Sequence, residues 1–251
     1  MYTVLSRRVT TLLTLLLGLT MIAGIAAMGK TAAVSASMRE LPIYSVDTKE
    51  NVMALGINCA WDDGDIESIL DTLEKAQVKA TFFMVGEWCD KYPQSVKKIA
   101  AAGHEIGSHS DSHADMTKLS KEEIIQELDA SGEKIEALTG KKPTLLRCPS
   151  GAYNNLAVAT AREEGWEVIQ WDVDTRDWKG LSEEEIINNV TKHLQKGSIA
   201  LLHSGAKNTA QALPQLIEEI KNRGFQIKLV SEIIYKGSYI LDHTGRQFEK
   251  K

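Results

Sequence analysis

A recurring glycine is the feature that most constrains the fold of this chain. Each of five glycines ends a segment with helical periodicity and is followed within a few residues by a short apolar segment. Glycine tolerates the left-handed backbone that commonly ends a helix. These residues are Gly103, Gly140, Gly165, Gly197 and Gly224. The repetition predicts alternating helices and strands, which pack as a parallel sheet covered by helices.

The sequence around these glycines predicts individual strands and helices. Residues 52–57 (VMALGI) predict a buried strand, and residues 78–85 (VKATFFMV) predict a second strand. Two capping boxes begin helices: Ser120 with Glu123, and Ser182 with Glu185. Counting the alternating units predicts an α/β fold, a distorted (β/α) barrel of about seven parallel strands. An open doubly wound sheet is the alternative, but no G-x-G-x-x-G motif follows the first strand.

The N-terminal segment differs in kind from the rest of the chain. Arg7 and Arg8 precede an uncharged run at residues 9–29, and residues 34–36 (VSA) offer a small-residue cleavage site. A run of this length would also span a bilayer if it stayed uncleaved. We therefore interpret residues 1–36 as a signal peptide or an N-terminal membrane anchor. The remainder is expected to work extracellularly, secreted or anchored, with membrane contact only through this segment.

The remaining chain is interpreted as one domain with short flanks. Residues 37–50 have little periodicity and predict a linker, residues 51–236 form the αβ domain, and residues 237–251 form a C-terminal tail. A formal net charge of −5 without a basic stripe argues against a nucleic-acid partner. The three cysteines lack the C-x-x-C spacing of a cysteine zinc site. We expect a monomer.

Polar residues stand where the predicted strands end. They comprise residues 58–65, His109 and His113, Arg147, residues 172–178, and His203. The strand ends of a barrel meet at one rim, so these side chains are expected to converge. His109 and His113 are of particular interest because imidazole is the commonest protein ligand for zinc. Two exposed histidines in a loop are the alternative interpretation.

Five short motifs stand in a fixed order along the domain. They are Asp62-Asp63-Gly64, His109 with His113, Arg147-Cys148-Pro149-Ser150-Gly151, Asp177-Trp178 and Leu201-Leu202-His203. With the flanking ATFF and GHEIGSH, they resemble the polysaccharide deacetylases of the NodB-homology type, carbohydrate esterase family four. The resemblance covers roughly residues 50–236, and YNN, QWDVDTRDW and LLHSGAKNT are closest to a sporulation-type branch. The resemblance implies an enzyme with a distorted barrel fold. Such an enzyme removes acetyl groups from sugars and uses one divalent metal ion.

The resemblance also implies a role for each matching residue. His109 and His113 match the metal ligands, and His203 matches the catalytic acid. Asp177 matches the carboxylate that holds this acid, and Arg147 matches the residue that positions the catalytic base. Amide hydrolysis needs an activated water, a stabilised oxyanion and an acid for the leaving amine, so these residue types suit the reaction.

The expected substrate and cofactor follow from the same resemblance. Trp178 and Leu201 would form apolar walls around the acetyl methyl, and the backbone N–H of Ser150 would serve the oxyanion. The metal is expected to be zinc, with cobalt, nickel or manganese as other candidates. The partner is an N-acetylated polysaccharide, either peptidoglycan or a chitin-like glycan.

The first motif has two alignments. Matching the motif by residue identity assigns Asp62 as the general base and Asp63 as the third metal ligand. We adopt this alignment for the predicted site. By position, the strand MALGIN puts Asn58 at the base aspartate and Cys59 at the metal aspartate. In that case a carboxylate from residues 62–65 would have to loop back to the metal.

The predicted activity depends on which alignment holds. The first alignment predicts a metal-dependent hydrolase that removes N-acetyl groups from an extracellular amino-sugar polymer. An asparagine cannot accept a proton at neutral pH, so Asn58 as the base residue would make hydrolysis weak or absent. The alternative function is therefore a catalytically impaired deacetylase relative that binds metal and glycan.

Overall fold

The computed structural model describes residues 39–250. The predicted signal or anchor at residues 1–36 lies outside this range. Within residues 39–250, no helix is both long enough and apolar enough to cross a membrane.

Strands and helices alternate through the described part of the chain. The strands are β1 (Ser45–Val46), β2 (Val52–Cys59), β3 (Thr81–Met84), β4 (Glu105–Ser108), β5 (Leu145–Leu146), β6 (Glu167–Val168), β7 (Val173–Asp174), β8 (Ser198–His203), β9 (Gln226–Lys228), β10 (Tyr239–Leu241) and β11 (Arg246–Glu249). The helices are α1 (Ile66–Lys75), α2 (Gly86–Lys91), α3 (Pro93–Ala101), α4 (Lys121–Thr139), α5 (Asn155–Glu163), α6 (Glu183–Thr191), α7 (Thr209–Asn222) and α8 (Val230–Ile233). Short 3-10 turns lie at Met116–Lys118, Pro149–Gly151 and Asp177–Lys179.

The strands form one curled sheet. Its central part is parallel in the order β8-β2-β3-β4-β5-β6, and β7 and β9 pair in parallel with β8 and β2. Ile43 bridges Ile169 just beyond β6, while Ser45 pairs with Ser198 at the start of β8. These contacts link the two edges of the parallel part. The predicted α/β fold is confirmed as a curled, mostly parallel sheet.

The segments predicted as a linker and a tail both contribute strands. Within residues 37–50, β1 pairs with β8 and with β11. Within residues 237–251, β10 and β11 form an antiparallel hairpin. Ile43 and Val46 are fully buried. No periodic pattern predicts these strands, because they are only two to four residues long and lie outside longer apolar runs.

Local sequence signals explain why the helices begin and end where they do. All five predicted glycine stops have positive φ, from 73° at Gly140 to 84° at Gly165. Four of them follow the last turn of a helix, whereas the prediction for Gly197 is wrong, because α6 ends at Thr191 and Gly197 lies in the turn directly before β8. Both predicted capping boxes are present, at the starts of α4 and α6. All eight residues of β2 are buried because this strand lies in the centre of the sheet. The register pairs Asn58 with His203, so the ends of β2 and β8 meet at one rim.

Candidate active site

A cavity of about 320 Å³ opens at the carboxyl ends of the parallel strands. Its lining residues are Asn58, Ala60, Trp61, His109, His113, Ser150, Gly151, Trp171, Asp174, Trp178, Leu201 and His203. Six of these residues belong to the predicted site: His109, His113, Ser150, Trp178, Leu201 and His203. The fold therefore brings side chains that are distant in sequence to one opening, which is where parallel barrels carry their functional groups.

His109 follows β4 and is buried. Its Nδ1 lies 2.6 Å from the backbone oxygen of Arg147. Because a carbonyl oxygen only accepts hydrogen bonds, Nδ1 carries the proton and Nε2 carries a lone pair. Burial lowers the pKa of His109 to about 3, so the ring is neutral. A backbone carbonyl that fixes the tautomer in this way is typical of metal-ligating histidines.

His113 ends a tight loop that begins at His109. Ser110 and His113 both have left-handed backbones, with φ of 63° and 61°. Glu127 of α4 stabilises this loop, since its Oε2 accepts hydrogen bonds from the backbone N–H groups of Asp111 and Ser112. The two imidazole rings meet edge to face with their centroids 5.0 Å apart. Burial lowers the pKa of His113 as well.

Arg147 lies behind the cavity as a fully buried cation. Its Nη1 donates to the backbone oxygen of Gly56 at 3.1 Å and to Asn58 Oδ1 at 3.0 Å. The guanidinium carbon lies 4.0 Å from the centroid of the Phe83 ring. A Cβ at position 56 would collide with the guanidinium, so glycine is required there. Within residues 39–250, no carboxylate forms an ion pair with Arg147, and burial lowers its pKa to about 9.

Asn58 links this cation to His109. Because Asn58 Oδ1 accepts from Arg147, its Nδ2 faces the imidazole and lies 3.2 Å from His109 Nε2. The hydrogen bonds thus run from Arg147 to Asn58, from Asn58 to His109, and from His109 back to the Arg147 carbonyl. The nitrogen that His109 would offer to a metal already accepts a hydrogen bond. The hydrogen-bond partners on this side all come from the protein itself, while Nε of Arg147 is buried without a partner among residues 39–250.

His203 and Asp177 form the opposite side of the cavity. His203 Nδ1 lies 2.8 Å from Asp177 Oδ1, and Asp177 Oδ2 accepts from the backbone N–H of His203 at 2.7 Å. Asp177 also accepts from the backbone N–H of Trp178 and from the Thr209 hydroxyl. The carboxylate is buried and its position is fixed by four hydrogen bonds. Because a carboxylate only accepts, Nδ1 of His203 carries a proton and Nε2 is left to exchange one.

Apolar and backbone groups complete the walls. Leu201 is a buried residue that lines the cavity, whereas Trp178 is half exposed at the rim. Ser150 has a left-handed backbone with φ of 55°, and Gly151 follows with φ of 67°. A side chain at position 151 would collide with the indole of Trp171, so the glycine allows this ring to approach the cavity.

Asp62 and Asp63 do not line this cavity. Asp62 is exposed, and its Oδ1 accepts from the backbone N–H of Gly64 at 3.0 Å. Asp63 points to α3, where its Oδ2 accepts from the Ser95 hydroxyl at 2.6 Å. This placement contradicts the base and metal-ligand roles predicted for them. The physical reason is that β2 ends at Cys59, so the residue that the barrel presents to the cavity is Asn58.

Comparison with known proteins identifies the family. The Polysaccharide deacetylase family matches residues 46–169. A peptidoglycan-N-acetylglucosamine deacetylase of Bacillus cereus is 32% identical over 196 residues, which cover 76% of this chain and 92% of that protein. The chain belongs to the polysaccharide deacetylase family. The predicted resemblance is therefore confirmed.

Two further relatives of this family member are an uncharacterized protein and a pseudoenzyme. The protein YlxY of Bacillus subtilis is 37% identical over 79% of this chain, which spans 62% of the length of that relative. The crystal structure of BA3943 from Bacillus anthracis, described as a pseudoenzyme of carbohydrate esterase family four, aligns with a TM-score of 0.75. Its identity is 33%, and the alignment covers 77% of this chain and 69% of that one. A mutant of BA3943 is described as having restored enzymatic activity.

The donor set of this family member fits only part of the expected metal site. Within the described residues, no group of three or more histidine, cysteine, aspartate or glutamate side chains is placed to hold a metal ion. Cys59 lies in the hydrophobic core, where burial raises the pKa of its thiol. Asp65 Oδ2 accepts from the backbone N–H of Gly205. His109 and His113 suit two positions around a cation, but no carboxylate in the described part of the chain is placed to complete the site that the family resemblance implies.

Trp61 and Trp171 are cavity residues that the predicted site did not include. Trp61 directly precedes the first motif, whose matching residues are Asp62, Asp63 and Gly64. Its indole stacks on the imidazole of His203 with a centroid distance of 5.2 Å. Only the register between β2 and β8 reveals this contact, because it brings the loop after Cys59 next to the loop after His203.

Proposed function

We propose that this chain acts on the N-acetyl groups of an extracellular amino-sugar polymer, either peptidoglycan or a chitin-like glycan, as a deacetylase. The observation that carries the proposal is the Asp177–His203 pair at the cavity, beside the apolar surfaces of Leu201 and Trp178. The relatives named as peptidoglycan deacetylases support the same substrate class.

His203 is the acid in this proposal. Its Nδ1–H donates to Asp177 Oδ1, so a proton carried on Nε2 is available to the leaving amine. The four hydrogen bonds on Asp177 hold the ring in one orientation, which reduces the reorganisation needed during proton transfer. Trp178 and Leu201 surround the acetyl methyl and exclude water from it. The backbone N–H of Ser150 is the proposed donor to the oxyanion.

We further propose that His109 and His113 hold a divalent cation, with zinc the first candidate and cobalt, nickel or manganese the others. A bound cation would polarise the acetyl carbonyl and lower the pKa of a water molecule. With two imidazoles as its protein ligands, this site is expected to bind zinc more weakly than sites with three protein ligands. Isothermal titration with zinc measures this affinity, and His109→Ala should abolish binding.

A second function is favoured by one specific observation, the neutral side chain at position 58. Asn58 stands between Arg147 and His109 and cannot take a proton from water. A chain with this residue would still bind the N-acetylated glycan while hydrolysing it slowly or not at all. The relative BA3943, described as a pseudoenzyme, supports this candidate.

Acetate release separates the two functions. N-acetylated oligosaccharide is incubated with the protein and added zinc or cobalt, alongside His203→Ala and His109→Ala. A deacetylase releases acetate, and both variants release much less. Acetate release that is equal in all three proteins would count against the proposed site. No release from any of them, with glycan still bound, would favour the second function.

The location of the protein is also part of the proposal. Residues 1–36 would direct the chain out of the cytoplasm as a signal peptide or an anchor, and the domain would then meet the cell wall as a monomer. The sporulation-type motifs suggest that its substrate is wall material made during sporulation. Fractionation of cells that express the full chain, followed by immunodetection, tests export. Detection of the protein only in the cytoplasmic fraction would refute the proposed export.

A further inference from the structure

Two exposed indole rings stand at the rim of the cavity. Within residues 39–250, four large apolar side chains are strongly exposed: Trp61, Leu156, Trp178 and Ile240. Of these, Trp61 and Trp178, which are 47% and 51% exposed, line the cavity. Exposed apolar surface that gathers at one opening marks a binding surface.

Each indole has one covered face. The ring of Trp61 stacks on the imidazole of His203 with an interplanar angle of 23°. The ring of Trp178 is approached by Lys179, whose Nζ lies 4.9 Å from its centroid. About half of each side chain remains exposed, which leaves the other face open to a ligand. The open faces are flat, apolar and next to the catalytic cavity.

The loop that carries Trp61 is tied to the barrel. The backbone N–H of Gly205 donates to Asp65 Oδ2 at 2.9 Å, and that of Ser204 donates to the backbone oxygen of Asn58 at 2.9 Å. Gly205 has φ of 78°, and a Cβ there would lie 3.3 Å from the Cβ of Trp61. The close approach of these two loops holds the indole in place before a ligand arrives, which lowers the entropic cost of binding.

We propose that Trp61 binds the pyranose ring next to the N-acetylated sugar, and so makes the site select a polymer over a monosaccharide. A pyranose presents an apolar face of C–H groups, which suits an open indole face. The cavity of about 320 Å³ is at the lower end of the range for small-molecule sites, so neighbouring rings must lie on the rim. This inference rests on the proposed glycan substrate but not on its hydrolysis.

Oligosaccharide binding measured by isothermal titration tests the role of Trp61. The ligands are N-acetylglucosamine, its tetrasaccharide and the unacetylated glucosamine tetrasaccharide, all with a chelator present so that no metal-dependent turnover occurs. The proteins are the parent chain, Trp61→Ala, Trp61→Phe and Leu156→Ala. Leu156 is a matched control because it is 42% exposed and does not line the cavity.

We expect Trp61→Ala to weaken tetrasaccharide binding about tenfold, with and without acetyl groups, and to weaken monosaccharide binding much less. Trp61→Phe should keep most of the affinity, and Leu156→Ala should keep all of it. Equal affinity of the parent and Trp61→Ala for the tetrasaccharides, or no binding by the parent, would overturn the inference. Length-dependent binding in this titration, combined with no acetate release in the separate assay with added zinc or cobalt, would refute the proposed hydrolysis and support the role of Trp61.

Discussion

The two sides of the cavity have similar hydrogen bonding but different charge. On the acid side, the buried carboxylate of Asp177 holds His203. On the opposite side, the buried cation of Arg147 meets the neutral amide of Asn58, which in turn donates to His109. Every one of these contacts is a good hydrogen bond, so the fold keeps its geometry on both sides. Well-formed hydrogen bonds on both sides therefore do not establish that both sides can perform their part of the reaction.

The neutral amide explains how the second side remains ordered. An amide and a carboxylate have nearly the same shape, but the amide can donate a hydrogen bond where the carboxylate can only accept. Asn58 therefore satisfies the lone pair of His109 Nε2 that would otherwise face a cation. The cost falls on Arg147, a buried cation that has no carboxylate partner among residues 39–250. Backbone oxygens of Gly56 and Gln170 and the ring of Phe83 compensate only in part.

The largest expected effect is an increase in the rate of hydrolysis in the Asn58→Asp variant. A carboxylate at this position can act as the base and can also contact a cation held by His109 and His113. Acetate release should rise at least about 100-fold, the lower end of what a positioned base contributes. Asp62→Asn is the matched control, because Asp62 is exposed and should change nothing. If Asp62→Asn removes the activity of the parent instead, the assignment of the base side is wrong.

The acid side should be almost as sensitive. Asp177→Asn, made in the Asn58→Asp background so that turnover is measurable, should lower kcat on the order of 100-fold with little change in KM. The amide oxygen can still accept a hydrogen bond from Nδ1, but it lacks the negative charge that stabilises the protonated ring of His203. Asp174→Asn is the control, since Asp174 lies in the same motif and lines the cavity without contacting His203. Equal loss in both variants would mean that the loop, rather than the acid pair, was damaged.

The charge difference should also appear in stability. Without metal, Asn58→Asp gives Arg147 a buried partner and should raise the free energy of unfolding by about 2 kcal/mol, less than the penalty for breaking such a pair. Urea denaturation of Asn58→Asp, Arg147→Met and the double variant measures the coupling between the two positions. A coupling energy near zero would show that Gly56 and Gln170 already satisfy the guanidinium.

The sequence predicted the side chains of the acid side because the Asp177-Trp178 and Leu201-Leu202-His203 motifs each have a single alignment. His203 ends β8, and the loop with Asp177 follows apolar residues. Predicting which residue occupies the base position requires the pairing register between β2 and its neighbouring strands. The letters Asp62-Asp63-Gly64 match the first motif, but the strand delivers Asn58 to the rim. A one-dimensional match cannot distinguish these alignments, because only strand pairing fixes which residue reaches the cavity.

A buried histidine at the other end of β4 gives a pH test outside the cavity. Burial lowers the pKa of His104 to about 4, and its Nδ1 accepts from the backbone N–H of Ala80. The unfolded chain gains a proton below about pH 6.5, whereas the folded chain does so only near pH 4. Stability is therefore full above about pH 6.5 and is lost as the pH falls towards 4.

His104→Asn keeps an acceptor for Ala80 but does not titrate. Between pH 7 and pH 5, the parent should lose about 1 kcal/mol more unfolding free energy than this variant, allowing for solvent screening. The contributions of His109 and His113 are present in both proteins and cancel. His193→Asn, at an exposed position, should follow the parent. Parallel pH curves for the parent and His104→Asn would contradict the burial argument.

Asp63 should give the smallest effect and tests the corrected alignment directly. Its carboxylate accepts the Ser95 hydroxyl on α3 and lies outside the cavity, so Asp63→Ala should leave zinc affinity and acetate release unchanged. The lost hydrogen bond should lower the free energy of unfolding by only about 0.5–1 kcal/mol. Ser95→Ala removes the same bond from the other side and should cost a similar amount. If Asp63→Ala abolishes zinc binding while Ser95→Ala does not, Asp63 must reach His109 and His113, and the alignment by letters is the correct one.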